Sequence, residues 1–223
     1  MVKVVISGYG RMGHMVEAAL KARGVELAGT SEDIASFDRD IAKECVCIDF
    51  TTPAAFRANY GALADNFKAV VVGTTGWDDI KDEVIRRFEE AGTPMIYSSN
   101  YSVGVNVLGA AVALVSKYLG KAGGYSPYIV EKHHVHKLDA PSGTAKTLAR
   151  AVEEGMSVAP DVASVRVGEL AGTHTVGFEG RYDRLTIEHE AFTREGFASG
   201  AVTAALMTEG LVGVHEFKEL FFK

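Results

Sequence analysis

The chain has 223 residues, of which 47% are hydrophobic and 23% charged, enough to build one large domain or two small ones and too apolar for a disordered chain. A net charge of −6 with no cluster of basic residues spanning a surface argues against nucleic acid or an anionic membrane as partner. Any anion this protein binds must be held by a local site.

The opening residues Val2-Lys3-Val4-Val5-Ile6 read as a strand rather than a signal peptide. No run of eighteen apolar residues occurs, which reads against a membrane span. Cys45 and Cys47 are two apart in a strand-like run, where a bridge would pucker the backbone, so they read as small core residues of a reduced, cytoplasmic protein.

Short β-branched runs at 2–7, 25–30, 46–50, 69–73 and 95–97 alternate with helical periodicity at 11–23, 53–66 and 78–91. Pro53 suits a first helical turn and Asp78 a cap. Strand–helix alternation at this spacing predicts parallel strands in a doubly wound α/β sheet. From about residue 103 the pattern changes. A small-residue helix at 105–119 precedes a strand at 128–137, a helix starting near Ser142, and three strand-like runs at 163–169, 174–179 and 184–192. Strands without intervening helices predict a second α+β domain with an open mixed or antiparallel sheet. A last helix at 201–211 is expected to return to the first domain. The expected division is therefore 1–102 plus 198–223, and 103–197.

Gly8-Tyr9-Gly10-Arg11-Met12-Gly13 follows the first strand and opens the first helix, the context in which G-x-G-x-x-G binds a dinucleotide pyrophosphate. The second strand runs into Glu32-Asp33, where a carboxylate would accept the adenosine ribose hydroxyls and two would repel a 2′-phosphate. NADH is therefore expected to be preferred, with NADPH accepted as well. Gly73-Thr74-Thr75 and Ser98-Ser99-Asn100-Tyr101 follow later strands, at the sheet end where such folds hold their cofactor.

The densest constellation is Glu131-Lys132-His133-His134-Val135-His136-Lys137, followed by Leu138-Asp139-Ala140-Pro141-Ser142-Gly143-Thr144-Ala145. So many bases together call for an anion, and Pro-Ser-Gly-Thr at a helix start suits a carboxylate. The pair reads as a pocket for a small polycarboxylate flanked by acid/base groups. A metal on His134, His136 and Glu131 is the weaker reading, because Lys132 and Lys137 would repel a dication, and no metal is expected. His174 and His189 read as ordinary strand residues.

This string resembles the signature of the dihydrodipicolinate reductase family. Gly-Tyr-Gly-Arg-Met-Gly at 8–13, Asp-Phe-Thr-Thr-Pro at 49–53, Gly-Thr-Thr-Gly at 73–76, Asn-Tyr-Ser-Val-Gly-Val-Asn at 100–106, Arg-Val-Gly-Glu at 166–169 and Phe-Ala-Ser-Gly-Ala at 197–201 extend the resemblance over nearly the whole chain. It implies a Rossmann-like cofactor domain, a substrate and oligomerisation domain, and a homotetramer assembled through the substrate-domain sheets. The activity implied is reduction of a cyclic imine dicarboxylate by hydride from a dihydronicotinamide. His133 takes the family's proton donor/acceptor position and Lys137 a proton-donor position. His134 matches a substrate-binding histidine, and Gly143 and Thr144 match the groups that hold a substrate carboxylate. Asp33 stands where members using NADPH often carry Arg, Thr52 where some carry Arg, and Ser98-Ser99 replaces the usual pair before the Asn loop. An unperturbed histidine, titrating near ~6.5, would let His133 donate at neutral pH. Other readings are an amino-acid-type dehydrogenase, against which the Pro-Ser-Gly-Thr string argues, and a dinucleotide-sensing module that has lost catalysis.

Overall fold

In the computed structural model, which describes residues 2–221, the chain divides into two compact units, Met1–Ser102 with Glu195–Lys223, and Val103–Arg194. The first unit contains β1 (Lys3–Ser7), α1 (Arg11–Ala22), β2 (Glu26–Ser31), α2 (Arg39–Ala42), β3 (Cys45–Asp49), α3 (Pro53–Asn66), β4 (Ala69–Val72), α4 (Lys81–Ala91) and β5 (Met95–Tyr97). The second contains α5 (Val103–Ala122), β6 (Ser126–His133), α6 (Gly143–Met156), β7 (Asp161–Arg166), β8 (Gly172–Glu179) and β9 (Arg184–Ala191). The chain then completes the first unit with α7 (Glu195–Met207), β10 (Val214–Glu216) and α8 (Phe217–Phe221).

The first sheet has the order β10-β5-β4-β3-β1-β2 with every pair parallel. Helices cover both faces, so β3 and β4 are buried along their whole length and read as apolar runs, broken only by Asp49 at the end of β3. Val4, Ile6, Val16, Leu20, Val202 and Phe217 fill one side, and Val5, Phe56, Leu63, Trp77 and Phe88 the other. Burial of each such large side chain contributes about 1.5–3 kcal/mol. Cys45 and Cys47 are buried free thiols in this core. Helix α3 starts as its sequence dictates: Pro53 follows Thr52, whose hydroxyl accepts the amide of Ala55 at 3.2 Å.

The second sheet has the order β7-β6-β8-β9, with β6 and β7 parallel and the other pairs antiparallel. Helices α5 and α6 supply Leu108, Val112, Leu148 and Val152 to a core shared with Ile129, Val176 and Phe178. They approach closely through small residues, since a Cβ on Gly155 would lie 2.5 Å from that of Ser116. Along β6 the buried positions alternate as Pro127, Ile129, Glu131 and His133. A carboxylate and an imidazole thus occupy places where a strand normally puts core side chains.

Some expectations need correction. The strand expected at 128–137 ends at His133, and residues 134–137 form a turn in which the amide of Lys137 reaches the carbonyl of His134 at 3.2 Å. His134 and His136 therefore do not share a strand face. The last helix begins at Glu195 rather than near 201, because Gly196 and Gly200 lie inside it. Gly200 is needed there, since a Cβ would fall 1.7 Å from the carbonyl oxygen of Tyr101. Asp78 begins a short 3₁₀ turn, and α4 starts after it at Lys81 without a side-chain cap. The short elements α2, β10 and α8 were not anticipated. Helix α5 is long and apolar enough, with a mean hydropathy of 1.5, to cross a membrane by length and composition alone. Counting consecutive apolar residues misses this because Asn106, Ser116 and Lys117 interrupt the run.

Candidate functional site

In the first unit the strand order reverses between β1 and β3, and the loops after β1, β3, β4 and β5 emerge at the same end of the sheet. Gly8 has φ +83°, and a Cβ there would lie 2.5 Å from the carbonyl oxygen of Phe50. One on Gly13 would lie 2.4 Å from that of Gly8, whereas one on Gly10 would meet nothing within 4 Å. Two of the three glycines are thus demanded by the protein's own packing, and the third leaves space outside. Gly10 also caps α1 without a side-chain hydrogen bond, so the helix start presents backbone amides and a partial positive charge, the features an anion would use.

The amide of Tyr9 donates to Glu32 Oε1 at 2.7 Å, which places that carboxylate beside the glycine loop. Asp33 accepts from the Ser36 hydroxyl at 2.7 Å within its own turn. Arg11 is exposed, and Met12 packs against the core. Tyr9 places its ring 4.1 Å from that of His14, and its hydroxyl donates to Glu17.

Beneath these loops lies Asp49, which the sequence reading did not single out. Its buried carboxylate accepts from the Ser7 hydroxyl at 2.7 Å and from the Thr74 hydroxyl at 2.6 Å, with the Thr51 hydroxyl 3.2 Å from both oxygens. Burial pushes its pKa up, and these hydroxyls pull it back only in part. Asp49 thereby ties together the ends of β1, β3 and β4. Thr74 is occupied in this way, while Thr75 is exposed and Gly73 has no room for a Cβ against the ring of Phe50. Ser98 bonds with the backbone of Asn100, and Ser99 is exposed. Tyr101 turns its ring into the core and donates to the carbonyls of Val72 and Ile96, so it can meet a ligand only through its backbone.

In the second unit Glu131, His133 and His174 form a buried cluster. Glu131 pairs across the sheet with His174, which pairs in turn with His189 on β9. Glu131 Oε1 accepts from the amide of Ser142 at 3.1 Å and from Arg166 Nη2 at 2.8 Å. Its Oε2 lies 3.1 Å from His133 Nδ1. Burial alone would raise the carboxyl's pKa, but hydrogen bonds from Ser142, Ser164 and Arg166 outweigh it and hold the pKa at about 2. Arg166 also donates to the carbonyls of Lys137 and Asp139, at 3.3 and 2.6 Å, fixing the loop that follows β6.

His133 does not keep the ordinary pKa expected of it. Burial lowers it, Glu131 and Asp139 oppose that, and Lys137 and Arg166 reinforce it. His174 falls further, to about 4, mainly through burial and the nearby His133, with Glu131 acting the other way. Its Nε2 lies 3.1 Å from the Ser142 hydroxyl, which caps α6 by accepting the amide of Ala145. Gly143 and Thr144 open that helix. The amino group of Lys137 lies 2.7 Å from Asp139. His134 Nε2 lies 3.2 Å from Arg194, and His136 is exposed, 3.4 Å from Glu169.

Glu131, His133 and His174 each offer a ligand atom within 4.8 Å of the others, the spacing a metal would use. However, the guanidinium of Arg166 already neutralises that carboxylate, so the trio reads as a proton-handling cluster. The second unit therefore brings His133 and the start of α6 together at Glu131, and Arg166 ties the backbone of Lys137 to the same carboxylate. Arg166 and Arg194 carry no signal of their place in sequence, and His174, expected to be an ordinary strand residue, is buried beside Ser142 and Glu131, because such placements depend on sheet register and loop course. Only the Arg-Val-Gly-Glu block at 166–169 hinted at Arg166.

Comparison with known proteins agrees with this geometry. Residues 2–101 match the family model for the dihydrodipicolinate reductase N-terminus, and residues 104–220 that for its C-terminus. The chain is 35% identical to the 4-hydroxy-tetrahydrodipicolinate reductase of Christiangramia forsetii, over 97% of this chain and 96% of that one. It is 34% identical to the enzyme of the same name from Methanoculleus marisnigri, over 94% of each. The fold matches a dipicolinate-bound dihydrodipicolinate reductase from Paenisporosarcina sp. TG-14 with a TM-score of 0.83, 21% identity and 99% coverage of both chains. With both halves matched and full-length relatives at this identity, the chain belongs to the dihydrodipicolinate reductase family.

Proposed function

We propose that the protein reduces (hydroxy-)dihydrodipicolinate to tetrahydrodipicolinate, an NAD(P)H-dependent step of diaminopimelate and lysine synthesis. The observation that carries this reading is the meeting of His133 and the N-terminus of α6 at one buried carboxylate, with the backbone of Lys137 tied to it through Arg166. The first unit fits a dinucleotide: Gly8–Gly13 and the start of α1 receive the pyrophosphate, and Glu32 the adenosine ribose. The Gly73–Thr75 and Ser98–Tyr101 loops line the nicotinamide end. When bound, the reduced cofactor supplies a hydride.

In the second unit Gly143 and Thr144 hold one substrate carboxylate, and His134 assists. His133 or Lys137 gives the proton that neutralises charge developing on the ring. Because its pKa is lowered in the free protein, His133 needs the substrate's own negative charge to become an acid near neutral pH. Lys137 stands beside Asp139 and adds a fixed positive charge.

The test is NADH oxidation on addition of freshly made synthase product, with Thr144→Val as partner. Loss of a charge-assisted hydrogen bond, about 1.5–3 kcal/mol, should raise KM about ten- to hundredfold with a smaller change in kcat. No turnover by the wild type would remove the reading.

We further propose a homotetramer in the cytoplasm. The support is the exposure of Val165 and Leu185 on the outer strands of the second sheet, and the two buried cysteines that form no disulfide. Light scattering on the purified protein tests the assembly.

A further inference from the structure

Among the buried polar atoms of the second unit, Glu131 Oε2 and His133 Nδ1 make no aligned hydrogen bond, yet they face each other at 3.1 Å, with His174 Nε2 3.8 Å from the same oxygen. The other oxygen of Glu131 is fully used by the amide of Ser142 and by Arg166. One immovable carboxylate therefore touches the imidazole, the cap of α6 and the arginine that holds the 137–139 loop. We infer that Glu131 is a positioning residue: it holds the His133 ring with the proton on Nδ1 and leaves Nε2 as the nitrogen that serves the substrate.

The geometry gives this its direction. Glu131 has no exposed surface, so it cannot itself meet a substrate. A carboxylate facing one imidazole nitrogen fixes the tautomer and stabilises the protonated ring, while leaving the other nitrogen to react. Rotation of Glu131 is blocked, because moving Oε2 would break both bonds made by Oε1. The groups that face His133 are Glu131 on its own strand, Lys137 and Asp139 on the following loop, Arg166 on β7 and His174 on β8. Glu131 and Asp139 favour the protonated ring, and Lys137 and Arg166 disfavour it. Of the two carboxylates, only Glu131 is buried and hydrogen-bonded on its far side, so it sets the ring's orientation.

The inference deepens the proposed reductase reading and rests on it only for the role of Nε2. The first measurement is therefore independent of turnover: long-range ¹⁵N NMR of the full-length wild type, which reports imidazole tautomers directly. Above its pKa, His133 should carry its proton on Nδ1. Glu131→Gln keeps the shape and an acceptor for Ser142 but removes the charge. It should lower the His133 pKa by about one unit, equivalent to a tenfold loss of proton affinity, and move the alkaline limb of kcat to lower pH by the same amount. Glu131→Asp, which retains the charge, should restore part of that shift. A wild-type His133 protonated on Nε2 overturns the inference whether or not Glu131→Gln folds. A folded Glu131→Gln with an unmoved His133 titration and an unmoved limb does so too. Absence of NADH oxidation by the wild type would instead count against the reductase reading and leave the tautomer result standing.

Discussion

The ring of His133 rests against the backbone of Gly172, so closely that a Cβ added there would lie 2.9 Å from Nε2. Gly172 also has φ +152°, a conformation that side-chain-bearing residues rarely adopt. Nothing larger fits at this position while the imidazole stays where Glu131 puts it. Gly172→Ala should displace the ring by a fraction of an ångström and reduce kcat about ten- to hundredfold, with a smaller change in KM. Steady-state kinetics on a variant whose far-UV circular dichroism matches the wild type is the check, and unchanged kcat would mean that the ring's position is not critical.

Proton uptake should accompany ligand binding. In the free protein, burial keeps His133 neutral to lower pH than an ordinary histidine. A dicarboxylate beside it adds negative charge and raises its pKa. Dipicolinate binding near neutral pH should therefore take up a substantial fraction of one proton. The affinity should weaken as pH rises through the pKa of the bound form, by up to about tenfold per unit. Calorimetric titrations in buffers of different ionisation enthalpy measure the uptake. His133→Gln should abolish it and depress kcat by about 10²–10⁴. Equal uptake in that variant would assign the proton elsewhere, with Lys137 the next to examine.

Acid should destabilise the fold through the same cluster. His174 has a pKa of about 4 when folded and an ordinary histidine value when unfolded, so the unfolded chain binds the proton first as pH falls. The contribution is complete above the unfolded value, near ~6.5, and is lost as pH drops toward about 4. Over that window His174 alone accounts for on the order of 3 kcal/mol. The lowered values of His133 and His189 act with the same sign. Below about pH 4.5 protonation of Glu131, whose pKa is about 2, adds to the loss. Urea unfolding at a series of pH values should show stability rising between pH 4 and 6.5, with a shallower slope in His174→Gln. A flat profile in the wild type would contradict the burial argument.

The extent to which this chain could be read in advance follows from which signals are local. The glycine loop, Pro53 behind Thr52 and the Ser142 cap are contiguous motifs whose backbone chemistry identifies them without tertiary information. Strands β3 and β4 are legible because a parallel sheet covered on both faces needs apolar runs, here broken only by Asp49 at the end of β3. Asp49 and Glu131 were not recognised for what they do. Asp49 stands in sequence only as part of the 49–53 block and Glu131 as a member of the basic constellation, and each becomes a buried hub only through partners 42 and 35 residues away, Ser7 and Arg166. The expected strand through 128–137 is longer than β6 because Val135 keeps the β-branched pattern going, while Arg166 and the 168–170 loop turn the backbone away. The early start of α7 is masked by Gly196 and Gly200, of which Gly200 is required by close packing against Tyr101, whereas a side chain at Gly196 would meet nothing.

The relationship between Glu32, Asp33 and the glycine loop bears on cofactor choice. Glu32 is held beside the loop by the amide of Tyr9, where it can accept the adenosine ribose hydroxyls. Asp33 follows it, bonded to Ser36 and exposed, so a 2′-phosphate would meet two carboxylates. At a surface site with an effective dielectric near ~20, one such contact at about 4 Å costs on the order of 4 kcal/mol per charge pair before screening. Salt and side-chain movement reduce this to about 1–2 kcal/mol, or about five- to thirtyfold in KM. Arg11 is exposed in the glycine loop and offers some compensation for a phosphate. NADH should therefore be preferred by kcat/KM, with NADPH still used. Asp33→Arg removes one repulsive charge and adds an attractive one at the cost of a single exposed hydrogen bond, so it should move the preference toward NADPH without lowering thermal stability. Raising the salt concentration should narrow the wild-type difference, because the discrimination is electrostatic. Steady-state comparison of both cofactors at low and high salt is the measurement, and a wild-type preference for NADPH at low salt would overturn the reading of Glu32 and Asp33.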